Sequence, residues 1–288
     1  MLRIFKSLVK VILYPRYQFR ILLNDLKSYF GISPGKEKTI FIAGYPKSGT
    51  TWMENFTSNI PGYNPRVLHG SREILRNHNL PIDAFSKIRD YQYSSIKTHI
   101  SAREENLEIL VKNNIKKIIV MYRDPRDIVI SNYNYVLKNN PWDPKSDFYK
   151  DYNKISKEDA IKHSIEMTGD FSSWVDGWIN TSIYNQNIDC LIIKYEELRN
   201  DPKGVYKKVL SFYGIKLNEK QFNKLILACN KTSNKAWLPQ SLPGTRSTLY
   251  KGVSGGWKKS LNIEHKRKIK KIMGKSIVKL GYESNLKW

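Results

Sequence analysis

The sequence has little cysteine and little acidic charge. Its two cysteines, Cys190 and Cys229, are too few for a disulfide framework, and their surroundings lack metal-ligand spacing. Asp and Glu number 26 against 49 Lys and Arg, which gives a formal net charge of +23. This excess favours an anionic partner, namely nucleic acid, an anionic membrane, a polyanion or a highly charged cofactor. A solvated, lysine-rich surface is the alternative explanation for part of it.

Long apolar segments are also absent. No stretch reaches the roughly 20 apolar residues of a membrane-spanning helix. The apolar run 8–14 is interrupted by Lys10, ends at Pro15 and lacks the cleavage site of a secretory signal. We therefore expect a cytoplasmic location, and the two cysteines without a disulfide framework are consistent with a reducing compartment. Hydrophobic residues still make up 40% of the 288 residues, which is enough for the core of one large α/β domain or two small ones.

Residues 1–38 differ from the rest of the chain and form a basic, aromatic extension. Helical spacing of large apolar residues after Pro15 predicts a short amphipathic helix. The residues concerned are Leu22, Leu23, Leu26, Tyr29 and Phe30. Two interpretations remain open: the extension lies on an anionic membrane, or it packs onto the domain formed by residues 39–288.

Residues 39–58, TIFIAGYPKSGTTWMENFTS, contain the most informative pattern of the sequence. An apolar, β-branched run at 39–43 predicts a buried strand, and 44–49 is a loop of turn residues around one cation, Lys47. Thr50 suits the start of a helix. A strand, a small-residue loop and a helix N-terminus together predict an anion site, because backbone N–H groups and the positive helix end converge there.

Further along the chain, predicted strands alternate with predicted helices. The clearest strand is 117–122, and others are predicted at 93–98 and 188–195. Alternation of this kind predicts a parallel sheet with functional groups at the carboxyl ends of its strands. Because Lys47, His99 and Arg123 each follow a predicted strand, we expect them to share one site.

The segment GYPKSGTTW at 44–52 resembles the 5′-phosphosulfate loop of sulfotransferases that use 3′-phosphoadenosine-5′-phosphosulfate (PAPS), in particular the cytosolic type. The resemblance covers roughly residues 39–282. It implies a P-loop-like three-layer α/β sandwich with a central parallel sheet, and transfer of a sulfuryl group to a hydroxyl or amine. The implied acceptor is a small molecule or a glycan, without nucleic acid as partner and without a metal ion. The acceptor and the oligomeric state stay open.

The resemblance also implies roles for individual residues. His99 is similar to the catalytic base of the family, and Lys47 and Lys97 are placed to stabilise the transferring or leaving oxygens. Arg123 and Ser131, eight residues apart, match the pair that holds the 3′-phosphate. The other implied contacts are Ser48, Gly49, Thr50 and Thr51 with the phosphosulfate, and Trp52 and Tyr195 with the adenine.

The last matching segment, YKGVSGGWKKSL at 250–261, is similar to the part of the family that encloses the 3′-phosphate. Lys251 and Gly252 are the implied phosphate contacts. Tyr250 replaces an arginine of the family pattern and Gly256 an aspartate. Because an arginine binds phosphate through a charged, forked group, this departure predicts weaker binding unless Lys251 or Arg246 compensates.

Two other functions remain as alternatives. A P-loop nucleotide kinase or ATPase requires a lysine after Gly49, where this chain has Thr50, and a carboxylate for Mg²⁺, for which Asp124 is the candidate. A non-catalytic protein that binds polyanions or membranes would have no use for His99 beside an anion site. Both alternatives are therefore weaker than sulfuryl transfer.

Overall fold

The centre of the molecule is a parallel β-sheet. The computed structural model describes residues 15–32, 34–71, 74, 77–139, 155–233 and 254–288. Within them, five strands pair in the order β2-β3-β1-β4-β5, and every pair is parallel. The strands are β1 (Thr39–Gly44), β2 (Asn64–Arg66), β3 (Ser94–Thr98), β4 (Lys117–Tyr122) and β5 (Asp189–Lys194).

Helices connect the strands and close the chain. Those before β5 are α1 (Pro15–Tyr29), α2 (Thr50–Asn59), α3 (Glu104–Lys112), α4 (Pro125–Asn139), α5 (Lys157–Met167) and α6 (Phe171–Tyr184). Those after β5 are α7 (Tyr195–Asn200), α8 (Pro202–Phe212), α9 (Glu219–Ser233), α10 (Trp257–Ser260) and α11 (Ile263–Lys279). Ser71, Ile74 and Asn77 are helical as well.

Alternation along the central strands divides the core into two layers. Phe41 and Ala43 of β1 face a cluster that includes residues of α3 to α6 and α11, whereas Ile40 and Ile42 face a second cluster with residues of α2, α8 and α9. Successive side chains of a strand point to opposite faces of the sheet. Because β1 is apolar along its whole length, it packs against helices on both faces. The three-layer α/β sandwich is therefore confirmed.

Most predicted boundaries agree with the structure to within two residues. The strand predicted at 117–122 is β4, and Pro125 is the first residue of α4, as its fixed φ favours. Tyr195 is a correction, because it begins the short helix α7 instead of ending β5. Residues 138–156 contain two prolines and many polar residues, which predicts an irregular loop. In the structure α4 continues to Asn139, so the start of this prediction is wrong, and most of the remaining segment lies outside the described residues.

Helix α1 is attached to the sheet by polar contacts. Asp25 pairs with Arg66 of β2 at 2.5 Å, and Asn24 donates to the Asn64 side chain at 3.0 Å. Arg20 donates to Asn59 at the end of α2. Packing of this helix onto the sheet is therefore observed. In the part of the chain that is described, no helix is both long and apolar enough to cross a membrane.

Candidate active site

The loop between β1 and α2 has a strained backbone. Lys47 and Gly49 both have positive φ, 69° and 87°. Such values are uncommon for a residue with a side chain. A Cβ added at Gly49 would lie 2.7 Å from Cδ2 of Tyr195, so this position requires glycine for space as well as for conformation. The loop therefore runs directly against the first residue of α7.

The interior of the loop is held by Ser48. Its hydroxyl donates to the carbonyls of Tyr45 and Met121, at 2.5 and 3.1 Å, and its N–H donates to Tyr45. Ser48 is fully buried. Any bond between Ser48 and an anion requires one of these bonds to give way. We conclude that Ser48 shapes the loop in this conformation.

The N-terminus of α2 opens at the carboxyl end of β1. Its N-cap is Gly49, which has no side chain to accept from the first N–H groups of the helix. These N–H groups cannot be satisfied within the helix and carry its partial positive charge. The backbone at Gly49, Thr50 and Thr51 is therefore suited to an anion.

Lys47 extends from this loop over an aromatic ring of α4. Its Nζ lies 4.0 Å from the ring centroid of Tyr135. Enclosure by protein atoms, and secondarily the positive charge of Arg123, lowers the pKa of Lys47 from 10.5 to about 8. Lys47 follows β1 and Arg123 follows the neighbouring parallel strand β4, so an anion bound between these strand ends would interact favourably with both cations.

Lys97 forms an ion pair that the sequence did not indicate. Its Nζ lies 2.7 Å from a carboxylate oxygen of Glu54, and it donates to the hydroxyl of Thr51 at 3.3 Å. Glu54 belongs to α2, one turn from Thr50, and is 9% exposed. Lys97 is thus held beside the first turn of α2, with part of its charge compensated by Glu54.

His99 lies beyond the end of β3 with one tautomer favoured. Its Nδ1 donates to the carbonyl of Gly44 at 2.6 Å, which leaves Nε2 as the acceptor. Burial, and then the charges of Lys97 and other neighbouring bases, lowers the pKa of His99 from 6.5 to about 4. The imidazole is therefore neutral near pH 7 and able to accept a proton through Nε2.

Arg123 follows β4 and lies against Tyr195. Its guanidinium carbon is 4.3 Å from the ring centroid of Tyr195, and one nitrogen is 3.7 Å from Asp127. Asp127 also accepts from the N–H groups of Gly255 and Trp257, at 2.7 and 3.1 Å. One buried carboxylate thus connects Arg123 to the backbone of Gly255 and Trp257.

The other predicted contacts are distributed around the same edge of the sheet. The rings of Trp52 and Tyr195 meet edge to face, with centroids 6.4 Å apart. Ser131 is one turn before Tyr135 on α4, and Tyr135 is the residue that contacts Lys47. Tyr250, Lys251 and Gly252 lie outside the described residues.

A cavity of about 660 Å³ opens beside Lys47. Its described walls include Tyr45 of the loop, and the Tyr45 hydroxyl donates to Asp170 at 2.5 Å. His78 lies 4.0 Å from the other oxygen of Asp170, and the indole of Trp174 donates to the carbonyl of His99. The sequence did not indicate Tyr45, His78, Asp170 or Trp174, because no spacing relates the three segments that contain them.

Asp124, the candidate magnesium ligand of the kinase alternative, is engaged elsewhere. It forms several bonds with Arg126, the shortest salt-bridge distance being 2.8 Å, and both side chains are buried. Among the described residues, no group of three or more His, Cys, Asp or Glu side chains is arranged to hold a metal ion. The absence of a metal remains a prediction.

Comparison with known proteins connects this geometry to one family. The sequence model described as "Sulfotransferase domain" matches residues 37–281. Sulfotransferase 2B1 of Mus musculus is 27% identical over 253 residues, which are 79% of this chain and 68% of that protein. Flavonol 3-sulfotransferase of Flaveria bidentis is 25% identical over 277 residues, covering 84% and 82%.

Solved structures share the fold. Mouse sulfotransferase SULT7A1 complexed with PAP has a TM-score of 0.59 and 21% identity, with 90% of each chain covered. Retinol dehydratase in complex with androsterone and inactive cofactor PAP has a TM-score of 0.54 and 16% identity, with 90% of this chain and 85% of that one covered. At these identities the likeness concerns the fold alone.

Proposed function

Because the chain belongs to the sulfotransferase family, we propose that it transfers the sulfuryl group of PAPS to a hydroxyl or amine, with His99 as base. The acceptor is a small molecule or a glycan. The observation that carries the proposal is the placement of Lys47 and Arg123 after β1 and β4, two neighbouring parallel strands, where the positive charge of Arg123 contributes to the lowered pKa of Lys47. PAPS carries phosphates at two ends, so one molecule can satisfy both cations.

The residues fit this co-substrate. Lys47 and the N–H groups at the start of α2 would hold the phosphosulfate, with Thr51 as a neighbouring hydroxyl. Arg123 would hold the 3′-phosphate through its guanidinium, and Ser131 would donate a further hydrogen bond. Trp52 and Tyr195 offer aromatic faces for the adenine. Lys251 and Gly252 remain predicted 3′-phosphate contacts.

The chemistry of the site follows from two side chains. PAPS would supply an activated sulfuryl group: the bond from its sulfur to the acceptor oxygen or nitrogen forms as the bond to the 5′-phosphate oxygen breaks, and adenosine 3′,5′-bisphosphate (PAP) leaves. His99 takes the acceptor proton at Nε2, while the Gly44 carbonyl holds the ring in the required tautomer. Lys47 stabilises negative charge that develops on the leaving oxygen. Lys97 assists from beside Thr51, and Glu54 moderates its charge.

The acceptor would enter the cavity beside Lys47. This cavity is lined by both apolar and polar side chains, including Trp174, Met167, His78 and Asp170. The bond from the Trp174 indole to the His99 carbonyl connects one wall to the segment that holds the base. An acceptor in this space would lie beside Lys47 and beside Ser101 and Ala102, which follow His99 by two and three residues.

An assay with radiolabelled PAPS and a panel of phenols, alcohols, amines and glycans tests the proposal. At least one acceptor is expected to carry the label covalently, so that the label stays with the acceptor after PAPS has been removed. His99→Ala is expected to lower turnover about 10²- to 10⁴-fold, the usual contribution of a general base, while PAP still raises the melting temperature. His69→Ala, an exposed histidine bonded to Asp83, is the matched control. Normal turnover of His99→Ala would assign the base to another residue.

The kinase alternative predicts a different stabilising ligand and a requirement for Mg²⁺. At about 100 times its dissociation constant, PAP is expected to stabilise the protein by roughly 2.7 kcal/mol, and ATP with Mg²⁺ by much less. EDTA is expected to leave sulfuryl transfer intact. Equal stabilisation by ATP with Mg²⁺, or activity restored only by Mg²⁺, would favour phosphoryl transfer instead.

The expected setting of the enzyme is the cytoplasm, with PAPS and the acceptor as its partners and no nucleic acid. Family membership supports a small-molecule acceptor. We propose in addition that residues 1–38 make a peripheral contact with an anionic membrane. Fractionation of cells that express the full chain tests it, and recovery wholly in the soluble fraction at low ionic strength would count against membrane contact.

A further inference from the structure

Helix α1 is oriented with its polar side toward the protein. Arg20, Asn24, Asp25 and Ser28 follow one another at helical spacing, and each contacts or is buried against the domain. The carboxylate of Asp25 accepts hydrogen bonds from three side chains of the domain, those of Arg66, Asn64 and Gln92. These contacts fix the rotation of the helix about its axis.

The opposite side of α1 is apolar and exposed. We call it the outward face; it consists of Phe19, Leu22, Leu23, Leu26 and Tyr29, continued by Phe30. These side chains are between 39% and 74% exposed. A surface helix normally turns its apolar side to the core, so the arrangement of α1 is reversed. A contiguous apolar surface of this kind is typical of an interaction site.

Charge indicates the partner of the outward face. Residues 1–38 contain eight Lys and Arg and two acids. Asp25 is paired with Arg66, and Glu37 lies 3.9 Å from Lys117, so both acids face cations of the protein itself. Lys27 is exposed and neighbours Leu23 and Leu26 along the helix. An apolar face on a segment with this excess of Lys and Arg over acidic residues complements a negatively charged lipid surface.

We propose, building on the membrane contact proposed above for residues 1–38, that the outward face of α1 docks the protein on an anionic phospholipid bilayer, with the helix parallel to the membrane plane. The polar contacts with Asn59, Asn64 and Arg66 keep the domain attached to the solvent side of the helix. Apolar side chains enter the boundary between headgroups and acyl chains, and neighbouring Lys and Arg contact the headgroups. The contacts of α1 are with the last residue of α2 and with β2, whereas the proposed anion site is at the first turn of α2.

Flotation with lipid vesicles tests the proposal on the full chain. Wild type is expected to float with vesicles of phosphatidylglycerol and phosphatidylcholine, and much less with phosphatidylcholine alone or at high salt. Leu22→Ser with Leu26→Ser is expected to lower the partition coefficient by about tenfold or more. Ile183→Ser, at a 62% exposed position on α6, is the matched control and is expected to float like wild type.

Two further measurements distinguish membrane docking from misfolding of the variant and from contact with a second protein molecule. The double variant is expected to keep wild-type sulfotransferase activity and PAP stabilisation in solution. A tryptophan placed at the face by Phe19→Trp is expected to shift its emission to the blue with anionic vesicles and to be quenched by brominated lipid. Equal flotation of wild type and double variant would overturn the proposal. So would a solution dimer that the double variant abolishes, since a second copy would then cover the face.

Discussion

Enclosure by protein changes the protonation of two groups at the sheet edge, Lys47 and His99. Each loses solvation for its charged form, so the pKa of each is lowered. For His99 the result is a neutral base at pH 7. For Lys47 the result is an ammonium group whose pKa, about 8, lies close to neutral pH. Both shifts lead to measurable pH effects.

His99 should make the protein less stable as the pH falls. Its pKa is about 4 when folded and 6.5 when unfolded, so between these values the unfolded chain binds the proton more strongly. Stability is therefore lost as the pH falls from 6.5 toward 4, by up to about 3 kcal/mol. Partial exposure of the ring reduces this figure. Thermal denaturation should show a smaller decline between these pH values for His99→Gln, whereas His69→Gln should behave like wild type.

Lys47 should take up a proton when PAP binds at alkaline pH. With a pKa of about 8, it is largely neutral in the free protein at about pH 8.5, and a bound anion raises that pKa. Calorimetry in buffers of different ionisation enthalpy measures the proton. Lys47→Arg, which stays charged, should bind without this uptake, and exposed Lys112→Gln should retain it. Uptake unchanged in Lys47→Arg would place the titrating group elsewhere.

At the level of secondary structure, the loop between β1 and α2 depends on Gly49. Gly49→Ala combines a positive φ with a Cβ 2.7 Å from the Tyr195 ring. Gly214 has a positive φ of 65° but no atom within 4 Å of an added Cβ. Gly214→Ala should therefore cost only the conformational strain, roughly 1–2 kcal/mol, and keep PAP binding.

Gly49→Ala should lower the free energy of unfolding more than Gly214→Ala does, and it should also weaken PAP binding, because Tyr195 or the loop must move. Urea denaturation and calorimetry of the two variants make the comparison. If both variants lose the same stability and Gly49→Ala still binds PAP normally, the Tyr195 ring moves away from the added Cβ at little cost.

The complete fold brings the end of the chain to the predicted 3′-phosphate region. The guanidinium of Arg126 lies between the rings of Trp257 and Trp288, at 3.8 and 4.5 Å, and also binds Glu283. Trp257 is in turn held by Asp127, which faces Arg123. The C-terminal residues thus support the segment next to Arg123.

Trp288→Ala should destabilise the whole molecule and slightly weaken PAP binding. Loss of a half-buried ring and its contact with Arg126 is expected to lower the free energy of unfolding by roughly 1–3 kcal/mol. Neighbouring Lys287→Ala, an exposed position, should stay within about 0.5 kcal/mol of wild type. A Trp288→Ala protein as stable as Lys287→Ala would mean that Trp257 alone supports Arg126.

Local patterns were sufficient for the elements and for part of the site. The apolar run 117–122 predicted β4 because a central parallel strand is buried on both faces. Lys47, His99 and Arg123 were predicted to share one edge because parallel strands end on the same side of a sheet. Resemblance to the family added the remaining contacts, of which Lys251 and Gly252 stay sequence-based predictions.

Contacts between distant segments were decided only by the tertiary structure. The pairing of Lys97 with Glu54, the bonds from Asp127 to residues 255 and 257, and the cavity shared by His78 and Asp170 join positions whose separation has no period. Periodicity likewise predicted the amphipathic α1 without indicating which side faces the protein. That side is the polar one because Asn59, Asn64 and Arg66 offer hydrogen bonds and an ion pair there, which apolar side chains could not satisfy.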